Sequence, residues 1–141
     1  MLLVTFHGGS SGINNVHAYD KHGALVTKAA LEDPKHGELL ELRAMVLANG
    51  LLYVANGAKS ESTVLAYAVP SSSPPFKFAG TLIGRTPSHK GPFETSIAHP
   101  FGIAFKNEKT CFISNQDTNV VSPVDVTGKG LVGSLGAVSP Y

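Results

Sequence analysis

Tryptophan is missing from this chain and cysteine occurs once, at Cys111. A single thiol rules out an intrachain disulfide and argues against a cysteine-based zinc site. Cys111 stands in an apolar, strand-like run, where a buried, inert thiol is expected. Charge is also scarce, at 15% of residues, with eleven basic against ten acidic side chains. That balance leaves no electrostatic footprint for nucleic acid or an anionic membrane. No apolar run approaches the ~20 residues of a membrane-spanning helix. The opening Met1–Phe6 is apolar, but it lacks a basic leader and reaches His7-Gly8-Gly9 too soon for a signal peptide. The compartment therefore stays open. Six histidines are present without His-Glu-x-x-His spacing.

What is present is ordinary for one ordered globular domain: 141 residues, 43% hydrophobic, with fifteen glycines and nine prolines that interrupt long elements. Those residues form a repeat. Leu42-Arg43-Ala44-Met45-Val46 followed by Leu51–Asn56 corresponds to Phe101-Gly102-Ile103-Ala104-Phe105 followed by Thr110–Asn115, at a constant offset of 59. Each copy resumes after a loop with an alternating run, Thr63–Val69 and Val120–Val126. A shorter copy opens the chain, with Leu3–His7 against Leu52–Asn56 and Val16–Asp20 against Val64–Ala68, keyed by Ala18-Tyr19 and Ala66-Tyr67. A last apolar run closes each copy: Ala24–Leu31, Phe76–Ile83 and Leu131–Val138.

The runs are short, rich in Val, Leu, Ile, Phe and Tyr, and bounded by Gly, Asn, Ser or Pro, which is strand chemistry. Asn49-Gly50 reads as a hairpin turn, with Lys106–Lys109 in its place in the next copy. Pro123 inside a strand predicts a bulge or an edge. The fold class expected is all-β, with four short antiparallel strands per unit, the pattern of a β-propeller blade. Blade one covers 1–31 and lacks its innermost strand, blade two 42–84, and blade three 99–138. Three blades fall short of the ~4–8 of a closed ring. The expectation is a propeller fragment, or an open propeller that self-associates to cover its edges.

The stretch His99-Pro100-Phe101-Gly102-Ile103-Ala104-Phe105, then Cys111-Phe112-Ile113-Ser114-Asn115, resembles the NHL and YVTN type of propeller repeat. Its usual form is His-Pro-x-Gly-Ile-Ala-Val, then Leu-Tyr-Val-Ala-Asp or Asn. The second copy keeps Leu52-Tyr53-Val54-Ala55-Asn56 but has Leu42-Arg43 where Phe-Gly is expected. The resemblance covers nearly the whole chain and speaks for architecture more than function. Such propellers include lactonases, lyases, lectins and interaction scaffolds.

Candidate ligand residues lie where the innermost strands begin and the second strands end. His7, Asn56 and Asn115 close the three second strands, Asp117 follows the last of them, and His99 heads an innermost strand. Asparagine and aspartate oxygens suit calcium or another divalent cation. The resemblance to lactonase-like propellers implies such an ion at the mouth. The plainer reading is that each asparagine caps the turn after it. His7-Gly8-Gly9 is similar to a hydrolase oxyanion segment, but no Gly-x-Ser-x-Gly nucleophile accompanies it. Arg85, His89 and Lys90 make a small basic loop patch, and Tyr19 and Tyr67 read as packing residues. The leading functional expectation is a binding or interaction module for a protein or small-molecule ligand. A divalent-metal-dependent lactonase-like hydrolase or lyase is the first alternative, and an oligomeric lectin-like propeller the second.

Overall fold

The computed structural model describes residues 1–6, 14–35, 38–57, 62–85, 97–126 and 130–131, the side chains of 84, 85, 130 and 131 excepted. Eleven strands arise: β1 (Leu2–Phe6), β2 (Asn15–Tyr19), β3 (Leu25–Thr27), β4 (Leu42–Ala48), β5 (Leu51–Gly57), β6 (Ser62–Ala68), β7 (Lys77–Arg85), β8 (Pro100–Phe105), β9 (Thr110–Asn115), β10 (Val120–Asp125) and β11 (Gly130–Leu131). They form three antiparallel meanders, β1-β2-β3, β4-β5-β6-β7 and β8-β9-β10-β11. Among the described residues there is no helix, and so none long and apolar enough to cross a membrane.

Local chemistry sets the turns. Asn49 and Gly50 both take positive φ, 52° and 75°, so β4 and β5 close on a two-residue hairpin whose twist matches its strands. Between β8 and β9 the loop has four residues, Lys106–Lys109, with Lys106 N–H donating to the Thr110 carbonyl at 2.9 Å. Asn107 Oδ1 accepts from the N–H groups of Lys109 and Thr110 inside that loop. Asp20 Oδ1 does the same for His22 and Ala24 between β2 and β3.

The second sheet is packed on both faces. Leu52, Val54, Leu65 and Tyr67 share one core with Val16, Ala18, Ala30 and Leu31 of the first sheet and its exit. Tyr53, Val64, Ala66 and Ile83 share another with Cys111, Ile113 and Val124 of the third. Strand alternation dictates this division, since neighbouring residues point to opposite faces. Each fully buried aliphatic side chain contributes about 1.5–3 kcal/mol relative to an exposed one. At the outer rim Phe76 N–H donates to the Ala30 carbonyl (2.7 Å) and Glu32 N–H to the Phe76 carbonyl (3.0 Å). The Glu32 carboxylate also accepts from Phe78 N–H at 2.9 Å, so the exit of the first sheet is stitched to the start of β7.

The pairings bear on three sequence expectations. Met45 faces Val54, and Ile103, not Ala104, faces Ile113. β4 and β8 therefore correspond at an offset of 58, while β5 and β9 keep 59. The cause is the hairpin, which holds five residues between the paired Phe105 and Cys111 against four between the equivalent Leu47 and Leu52. In the first sheet Leu3 faces Ala18, as Tyr53 faces Ala66. Leu3 thus corresponds to Tyr53 and Phe6 to Asn56, one residue away from the sequence alignment, and a one-residue slip exchanges faces. Finally, no bulge marks Pro123, which faces Phe112 in an unbroken β9–β10 register. The described part of β11 pairs only with Val124 and Asp125. Of the last closing run, residues 132–138 lie outside the described residues.

Candidate functional site

β4 and β8, the first strands of the second and third sheets, begin side by side, at the end of the sheets where β5 and β9 finish. Glu41 precedes β4 as His99 precedes β8, and the two are equivalent. The Glu41 carbonyl accepts from Gly57 N–H at 2.9 Å, and the His99 carbonyl from Gln116 N–H at 3.0 Å. Next along each strand come Arg43 and Phe101, also equivalent, with the guanidinium 5.3 Å from the ring centroid.

His99 is held from several directions. Its backbone takes φ of 55°, uncommon for a residue with a side chain, and its N–H donates to Ser62 Oγ at 2.9 Å. The imidazole lies between two carboxylates, Nε2 at 3.0 Å from Glu41 Oε2 and Nδ1 at 3.3 Å from Asp117 Oδ1. The Nε2 contact lacks the alignment of a hydrogen bond. Glu41 Oε2 also accepts from Arg43 Nη2 at 3.0 Å. His99 is 11% exposed, whereas Glu41 and Asp117 are 39% and 44% exposed. Gly57 passes so close that a Cβ there would sit 2.7 Å from the His99 ring.

Asn56 and Asn115, expected as ligand residues, are buried and spent on the main chain. Asn56 Oδ1 accepts from Leu40 N–H at 2.8 Å, while Nδ2 donates to the Glu38 carbonyl and Thr63 Oγ1. Asn115 Oδ1 accepts from Ala98 N–H at 3.0 Å, while Nδ2 faces the carbonyls of Ile113 and Val120 and Ser122 Oγ. Each carboxamide ties the end of one strand to the chain entering β4 or β8. A buried amide must satisfy its donors and acceptor, and these do so on backbone, as the capping reading requires. Asn15, at the head of β2, makes a similar tie to the N–H and carbonyl of Leu31.

Of the candidates, the structure brings His99 and Asp117 together and leaves Asn56 and Asn115 beneath them as supports. His7 lies outside the described residues, as do His89 and Lys90 of the basic patch, and Arg85 ends β7. Because Phe6 is the residue that corresponds to Asn56, His7 loses its equivalence with the two asparagines. Sequence reasoning missed Glu41, Arg43, Ser62 and Phe101. The signal for Glu41 and Arg43 was the innermost-strand offset, since at 58 they align with His99 and Phe101. Among the described residues, no group of three His, Cys, Asp or Glu side chains is arranged to hold a metal ion. Cys111 is buried, and burial pushes its thiol up to about 11. No family model matches the chain, and no curated protein or solved structure does either.

Proposed function

We propose that the three sheets are successive blades of a β-propeller, and that the protein is a binding module whose ligand meets Glu41, Arg43, Phe101 and Asp117. The blade reading is supported by three sequential meanders that pack face to face with equivalent residues in equivalent contacts. One observation carries the functional reading. The partly exposed carboxylates of Glu41 and Asp117 flank His99, and the half-exposed Phe101 ring lies against the guanidinium that Glu41 holds. An aromatic face beside carboxylates and a guanidinium suits a small polar ligand with a flat apolar side, or a peptide with such a side chain.

The metal-dependent hydrolase reading relied on Asn56 and Asn115 as oxygen donors, and both carboxamides are engaged with backbone. Backbone amide NMR of the labelled protein, titrated with sugars, carboxylic acids and short peptides, tests the proposal. Shifts gathered at Glu41, Arg43, Phe101 and Asp117 are expected. Binding that maps to another face overturns it. A calcium titration that moves the side-chain amides of Asn56 and Asn115 restores the lactonase-like reading instead.

A further inference from the structure

Asparagine followed by glycine occurs twice in the chain, at Asn49-Gly50 and at Asn56-Gly57. This dipeptide loses its side-chain amide readily, because glycine has no side chain to hinder attack by its own nitrogen. The two copies stand seven residues apart and have opposite surroundings.

Asn49 and Gly50 are the exposed pair that turns β4 into β5, at φ of 52° and 75°. Nothing lies within 4 Å of the place a Cβ would take on Gly50, so the peptide between them has room to swing. Asn49 reaches outside its own turn, and Nδ2 donates to the Glu108 carbonyl at 2.9 Å. Glu108 lies in the β8–β9 loop, so this bond ties the hairpin of the second sheet to that of the third. The bond is exposed, and water competes for both of its groups.

Asn56-Gly57 is locked. Both residues are buried, and the Asn56 carboxamide is held by Leu40 N–H, the Glu38 carbonyl and Thr63 Oγ1. Gly57 N–H donates to the Glu41 carbonyl at 2.9 Å, and a Cβ on Gly57 would stand 2.7 Å from the His99 ring. The nitrogen that must attack is engaged, and its peptide has no space to turn.

We infer that Asn49 is a modification site, converting spontaneously to aspartate and isoaspartate, and that the conversion unties the two hairpins. The Gly50 nitrogen, its proton lost to solvent, attacks Asn49 Cγ. The N–Cγ bond forms, the Cγ–Nδ2 bond breaks, and ammonia leaves after taking a proton back from solvent. Water then opens the cyclic imide. Attack at the main-chain carbonyl gives isoaspartate, and attack at Cγ gives aspartate. The sum is one water consumed and one ammonia released. Each product has a carboxylate and no Nδ2 donor, so the Glu108 carbonyl loses its partner and faces an acceptor instead.

Mass spectrometry after tryptic digestion is the test, because residues 44–59 form one peptide that contains both pairs. The unaltered protein is first held in mildly alkaline buffer at body temperature, one sample folded and one in urea. In the folded sample, amide-to-acid exchange should be at least about tenfold greater at Asn49 than at Asn56, where reaction waits for local unfolding. In urea both positions should react alike. A folded protein that reacts equally at both positions, or at neither, overturns the inference. The tie is read in the folded sample by NMR. The amide of Lys109, whose peptide bond includes the Glu108 carbonyl, should shift in step with the conversion. A Lys109 amide that stays in place while Asn49 converts overturns the untying.

Discussion

His99 and Glu41 occupy the same position at the heads of β8 and β4, and their side chains meet, Nε2 to Oε2, at 3.0 Å. Equivalent positions in a repeat are normally one repeat apart. Here the strands converge enough for a long acidic side chain on one to reach the ring of the other, and Gly57 leaves the room for it.

Gly57→Ala therefore removes that room. The new methyl group would stand 2.7 Å from His99 Cδ2 and 2.9 Å from the Pro100 carbonyl oxygen, and the backbone oxygen has little freedom to retreat. A loss of roughly 1–3 kcal/mol is expected from such overpacking. Urea unfolding measures it, and an unchanged midpoint would show that His99 is not fixed.

Asn115→Ala removes a buried carboxamide that holds Ala98 N–H and faces two carbonyls. Leaving such groups unpaired costs about 1–3 kcal/mol each. The variant is expected to lose several tenfold steps of stability, with Asn56→Ala close behind. A pair of variants as stable as the original chain would make both asparagines ligand candidates again.

Tyr67 is fully buried, and its hydroxyl has no hydrogen-bond partner among the described residues. Burial, with Asp33 and Glu32 nearby, holds its ionisation well above the usual phenol range. Tyr67→Phe keeps the ring against Phe78 and deletes the stranded oxygen. The melting temperature should rise, by the equivalent of about 1 kcal/mol. A fall would reveal a partner for the hydroxyl.

Cys111 gives a prediction in pH. Its buried thiol is raised to about 11 from 9.0, so the folded protein favours the neutral form. The stability this lends is fully present below pH 9 and is lost as pH rises toward 11. Alkylation of the native protein at neutral pH should be far slower than of the urea-unfolded chain, as mass spectrometry would show. Equal rates would contradict the burial.

The strands were legible because their alternation is written in residues buried on one side. In β9 buried and half-buried positions alternate strictly, and its correspondence with β5 could be read at 59 without the structure. In β4 five of seven residues are half-buried, and in β1 the three middle ones are, so neither face is marked and a one-residue slip leaves the pattern nearly unchanged. Those are the two strands misaligned from sequence. The site suffered from the same ambiguity, because Glu41 joins His99 only once β4 and β8 are set at 58. The asparagines were visible at once, but a carboxamide that caps a loop and one that binds an ion look alike until their partners are known.

The stitch at Ala30, Glu32 and Phe76 bears on how the molecule comes apart. In an array whose units touch only their neighbours, units can melt one by one, each at its own stability. Here the chain leaving the first sheet is bonded to a strand lying beyond three others, so releasing the first sheet also frees the outer strand of the second. Those two sheets should lose their protection against hydrogen exchange together, as one cooperative unit.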